Sequence, residues 1–127
     1  MSMTRAQHLL VEFNQCDVAI LNDIEKIEIL MRKSAQVANA TVLNAIFQQF
    51  QPQGITGILV LAESHLSIHT WPQKAYASVD FYTCGHSLPE KACAVLQQGL
   101  HAQDCEMLMI DRGLLSDKQR MCVRYHQ

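Results

Sequence analysis

The sequence predicts a two-layer α/β (α+β) sandwich: a mostly antiparallel sheet with two main helices, in the order β-α-β-β-β-α-β. Two observations carry this prediction. Short β-branched and aromatic runs recur between turn residues, and two longer segments repeat their apolar residues at helical spacing. A third sets the scale: 127 residues, 49% of them apolar, suit one domain over 1–127 with an ordinary core.

The elements follow in order. His8 to Phe13, "HLLVEF", is a short apolar run that reads as a strand. In "NQCDVAILNDIEKIEILMRKSAQVAN", Ile20, Ile24, Ile27 and Met31 recur on one helical side with Leu30, while Glu25, Lys26 and Glu28 lie away from it. Asp17 or Asn22 suits the start of that helix and Asn39 its end. "ATVLNAIFQQF" has strand composition, and "QPQG" breaks the chain. Ile55 to Ala62, "ITGILVLA", is almost wholly apolar and reads as a strand buried on both faces. "HLSIHTW" follows, "PQK" turns the chain, and "AYASVDFYTCG" is another β-rich run. Pro89 opens a helix whose apolar face is Ala92, Val95, Leu96 and Leu100. "CEMLMI" is read as the last strand and the mixed tail after it as a frayed end.

Composition excludes several classes. Charged residues are 17% of the chain and the net charge is −2, so the concentrated basic surface that nucleic acid requires is missing. No run approaches the ~18 apolar residues of a membrane span, and "MSMTRAQHLLVEF" lacks a signal-peptide core. The five cysteines (Cys16, Cys84, Cys93, Cys105, Cys122) are odd in number and irregularly spaced, which points to a reducing cytoplasm. Low charge also implies an apolar surface patch covered by a partner subunit.

The chemistry concentrates in "ESHLSIHTW", residues 63 to 71. If "PQK" is a hairpin tip, paired residue numbers total about 147, which brings Cys84 opposite Glu63 and Ser64. Alternation puts Ser64, Leu66 and Ile68 on one face and His65, Ser67 and His69 on the other. For His69 to act on Ser64, the strand must then bend or bulge near Glu63. Three readings are open. Ser64 is a hydrolytic nucleophile with a histidine base, although no acidic partner or nucleophile elbow accompanies it. Alternatively His65, His69, Cys84 and His86 hold a metal such as zinc. In the third reading, Ser64 attacks its own preceding carbonyl.

"AESHLSIHTWP" followed by "YASVDFYTCG" closely resembles the prokaryotic S-adenosylmethionine decarboxylase proenzymes of the short form. The likeness extends to "HLLVEFNQCD", "LND-E-IE", "ATVL", "F-PQG-TG" and the late "RG", and so covers nearly the whole chain. It implies self-cleavage at Glu63–Ser64 into residues 1–63 and 64–127, leaving a covalent pyruvoyl group made from Ser64 as the only cofactor. That group forms a Schiff base with the substrate amine and replaces pyridoxal phosphate as electron sink. The resemblance implies that His69 carries a proton during processing and Thr56, where the family usually has serine, supports the ester step. Cys84 returns a proton to the product carbon. It also implies a homodimer with the site near its interface, in which Phe50 and Trp71, one from each subunit, sandwich the adenine. No metal ligand is implied.

The departures cluster after Trp71. The family usually reads "HTWPE-GYAAVD", whereas this chain has "HTWPQKAYASVD". Gln73 replaces a glutamate that commonly holds the ribose hydroxyls, Lys74 is basic, and Ala75 replaces a glycine. The loss of a carboxylate weakens attraction for a cationic substrate. It leaves two other readings: a decarboxylase of free arginine or ornithine on the same fold, or an unprocessed homologue acting as a binding partner.

Overall fold

The structure, a computed structural model, describes residues 6–62, 64–84, 87–113 and 122–126. Seven strands form one sheet in the order β2-β3-β4-β5-β1-β6-β7, and every pairing within it is antiparallel. They are β1 (Ala6–Asn14), β2 (Val42–Gln49), β3 (Ile55–Leu61), β4 (Ser64–Trp71), β5 (Tyr76–Cys84), β6 (Asp104–Arg112) and β7 (Cys122–His126). Three helices, α1 (Val18–Leu21), α2 (Ile24–Val37) and α3 (Pro89–Gly99), accompany the sheet, and α2 and α3 pack on one of its faces. The two-layer α/β sandwich is therefore observed, with four strands between α2 and α3 where the sequence order had three.

The single helix expected over 14–39 is two. Asp17 accepts from the Ile20 amide and starts α1, while Asp23 accepts from the Lys26 amide and starts α2. Two N-caps six residues apart supply two separate beginnings. Asn39 follows the end of α2 with a φ of 64°, the left-handed position expected of it. The tail also differs from expectation: β7 pairs along β6 from Met107–His126 to Asp111–Cys122.

The core lies between sheet and helices. Leu9, Val11 and Phe13 of β1, Leu66 and Ile68 of β4, and Val79 and Phe81 of β5 meet Ile27 and Met31 of α2 and Leu96 of α3. The β3 strand is buried on one face only, since Ile58 and Val60 are 40% and 44% exposed. Its continuous apolar run arises because the side of the sheet away from the helices is apolar too. Leu10, Ile46 and Val123 share that open face.

Candidate active site

The pairing of β4 with β5 runs from His65–Tyr82 to Trp71–Tyr76, so paired numbers total 147 as the hairpin arithmetic required. A short 3-10 turn at Pro72–Lys74 closes the hairpin, and Ala75 completes it in the left-handed region with a φ of 52°. Glycine would adopt that backbone without strain. Continuing the register by one residue puts Ser64 level with Thr83, the neighbour of Cys84. Glu63 and His86 lie outside the described residues.

Ser64 begins β4, half-buried, paired with Leu61 of β3, and its hydroxyl donates to the Ala62 carbonyl at 3.4 Å. Cys84 ends β5, half-buried and opposite Ala6. Beside it, the buried Thr83 hydroxyl has no hydrogen-bond partner among the described residues.

The other end of β4 holds the remaining candidates. Phe50, Thr56, His69, Trp71 and Gln73 line one pocket of about 220 Å³, together with Gln53, Gly54, Ile55 and Thr70. His69 pairs with Thr56 across β3 and β4, and the Thr56 hydroxyl is 3.0 Å from His69 Nδ1. The Trp71 ring stacks on Tyr76 with centroids 5.3 Å apart and lies 6.2 Å from the His69 ring. Phe50 and Trp71 are both exposed and line this pocket within one protomer.

Two residues not selected from the sequence for this site support the pocket: Thr70 lines it and Asn22 braces its Gly54. Asn22 accepts from the Gly54 amide at 3.0 Å and from the Gln49 side chain at 2.9 Å. Thr70 accepts from the Ile55 amide at 2.9 Å and donates to the Leu21 carbonyl at 2.8 Å, tying β3 and β4 to α1. The sequence marks Asn22 only as a cap and Thr70 not at all; their partners are 15 to 49 residues away. Glycine serves this corner twice. Gly54 turns with a φ of 110°, and a side chain at Gly57 would collide with the Phe47 ring.

Two readings are corrected. The β3–β4 ladder is unbroken from Thr56–His69 to Leu61–Ser64, so no bulge among these residues brings His69 toward Ser64. Five residues of strand separate them by about 16 Å, beyond any side-chain contact. By the same measure His65 and His69 are about 13 Å apart along β4, so they cannot share one metal ion. Asp80, which the sequence did not single out, sits on the open face and receives hydrogen bonds from His8, His65 and Ser67. Burial alone would raise its carboxyl, but the bonds from Ser67, His8 and His65 hold it below the ordinary carboxylate value. The buried thiols behave differently: burial and the nearby Cys105 push Cys16 to about 11, and burial with Cys105 and Glu90 pushes Cys93 to about 12.

A helix-backed antiparallel sheet carries a strand-end serine and thiol and, apart from them, a pocket of aromatics and a histidine sized for a small ligand. The family model for S-adenosylmethionine decarboxylase matches residues 7–113, and the chain belongs to that family. It is 50% identical over 98 residues to an S-adenosylmethionine decarboxylase proenzyme of Parasynechococcus marenigrum (strain WH8102), covering 76% of this chain and 77% of that one. A proenzyme of the same description from Moorella thermoacetica is 42% identical over 118 residues, covering 92% and 94%. The crystal structure of the adenosylmethionine decarboxylase from Aquifex aeolicus VF5 superposes with a TM-score of 0.81 at 31% identity, over 94% of this chain and 99% of that one. Among the described residues, no helix is long and apolar enough to cross a membrane.

Proposed function

We propose that this chain is a self-processing, pyruvoyl-dependent decarboxylase of S-adenosylmethionine, making the aminopropyl donor for spermidine synthesis in the cytoplasm. The observation that carries the reading is the single pocket that collects Phe50, Thr56, His69, Trp71 and Gln73. Family membership supports it.

In this reading Ser64 Oγ attacks the Glu63 carbonyl and converts the amide before it to an ester. His69, steadied by Thr56, removes the proton for β-elimination, which releases residues 1–63 from residues 64–127. Water then displaces ammonia from the new terminus and leaves the pyruvoyl group, which supplies the electron sink for loss of CO₂. Phe50 and Trp71 hold the adenine and face the sulfonium charge. Gln73 binds the ribose hydroxyls, and Cys84 returns a proton to the product carbon.

The separation of about 16 Å along β4 requires a second copy. A two-fold axis crossing the open sheet face sets the His69 end of one protomer over the Ser64 end of its partner. The exposed Leu10, Ile46, Ile58, Val60 and Val123 supply the apolar surface for that homodimer.

Denaturing mass spectrometry tests the processing. Two fragments split between Glu63 and Ser64, the second lacking its amino group, are expected, and Ser64→Ala stays whole. A wild-type chain intact after prolonged incubation overturns the reading. CO₂ release should occur from S-adenosylmethionine and not from arginine or ornithine; the reverse preference overturns the substrate.

A further inference from the structure

The open sheet face carries a side-chain cluster that none of these roles uses. His8 Nε2 lies 2.6 Å and His65 Nε2 2.9 Å from the same Asp80 oxygen, Oδ2, and the Ser67 hydroxyl donates to Oδ1. Arg112 approaches His8 Nδ1 at 3.1 Å and lies over the Tyr82 ring at 5.0 Å, while His65 stacks on the same ring.

We propose that His8, Asp80 and His65, backed by Ser67 and Arg112, form a positioning clamp that holds the Ser64 end of β4 after the chain is cut. The proposal rests on the self-processing reading. Cleavage before Ser64 turns the middle of a hairpin into a new terminus, and chain termini fray unless tied down. His65 is the first residue beyond that terminus. Its ring and the Ser67 hydroxyl grip both oxygens of one carboxylate on β5. After the cut, His8 belongs to residues 1–63, whereas His65, Ser67, Asp80 and Arg112 belong to residues 64–127. The His8–Asp80 bond then joins two separate chains beside the reactive end. Small displacements of a reacting group carry large rate penalties, so such a tie acts on turnover rather than on binding.

The same three residues are also of the types that hold a metal, and their ligand atoms all lie within 4.8 Å of one another. Arg112 decides between the two. A guanidinium only donates hydrogen bonds, so His8 Nδ1 is the acceptor and Nε2 carries the proton. Metal ligation through Nε2 would move that proton to Nδ1, against the arginine. The hydrogen-bonded clamp uses the tautomer that Arg112 selects.

The test compares wild type with His8→Ala, His65→Ala, His8→Gln and His65→Gln, all of which keep the Asp80 carboxylate. Mass spectrometry reports the cleaved fraction, and kinetics with S-adenosylmethionine are then measured per cleaved chain. Both alanine variants should lose about 10- to 100-fold in kcat with KM within about threefold of wild type. The glutamine variants, whose amide can still donate to Asp80, should recover most of kcat. Cleaved wild type with alanine variants within about twofold of its kcat overturns the clamp alone. Equal losses in the alanine and glutamine variants also overturn it, because bulk rather than donation would then matter. A wild type that never cleaves overturns the self-processing reading and the clamp with it.

Discussion

His69 Nδ1 and Thr56 Oγ1 are 3.0 Å apart across neighbouring strands, while Ser64 begins the same strand that carries His69. That pairing makes the histidine and threonine one unit and places it away from the serine of its own chain. Mixing should therefore rescue cleavage. Ser64→Ala cannot cut itself, and His69→Ala lacks the proton carrier. Refolded together, the His69→Ala chains should be cut by the histidine of their Ser64→Ala partners. Fragments appearing in neither variant alone but in the mixture, seen by mass spectrometry, are the expected result. Efficient cleavage of His69→Ala by itself would remove His69 from processing.

Gln73 lines the pocket beside Trp71. Glutamate there restores a charge-assisted bond to a diol and an attraction for a sulfonium. Gln73→Glu should lower KM for S-adenosylmethionine about five- to tenfold, with kcat little changed. Steady-state kinetics decide it, and a raised KM would place the ribose elsewhere.

The cysteines should react in a fixed order. Cys16 and Cys93 are buried and their thiols are pushed to about 11 and about 12, so few thiolates form near neutrality. The half-buried Cys84 should take an alkylating reagent first, with activity lost in step, as peptide mapping would show. Cys84→Ala should still be cleaved but turn over poorly.

Asp80 ties acid sensitivity to the open face. Its folded-state carboxyl titrates below the ordinary carboxylate value of 3.8. The stability it contributes is therefore present above about pH 4 and lost as pH falls through the folded value. Denaturation curves between about pH 6 and pH 3 should show a shallower acid loss in Asp80→Asn than in wild type. Parallel curves would mean that these hydrogen bonds do not favour the charged form.

Ala75 holds a left-handed backbone at φ 52°. Ala75→Gly should stabilise the protein by about 1 kcal/mol, because the relief of strain exceeds the added freedom of the unfolded chain. Thermal melts measure it; a lowered melting temperature would show that this turn carries no such strain.

Local pattern determined a large part of this molecule. Helical spacing marked α2 and α3, strand composition marked β1, β2, β3, β5 and β6 but did not count β4 as a strand of its own, and a single turn at "PQK" was enough to set the β4–β5 register, because antiparallel pairing propagates from a hairpin without further information. Ordered motifs likewise determined the family, since they need no knowledge of contacts. What local pattern could not decide depends on which faces meet. The run "ITGILVLA" reads as doubly buried, yet one of its faces is open, because apolar residues on a core face and on an open face look alike in sequence. Asn22 and Thr70 acquire their partners only when α1 lies against the β3 end. The meeting of Asp80 with His8 spans 72 residues, and its partner strands become neighbours only through the order β4-β5-β1. The distance from Ser64 to His69 is a matter of register alone. Their closeness in sequence concealed it, since an extended strand separates near neighbours by more than three ångströms per residue.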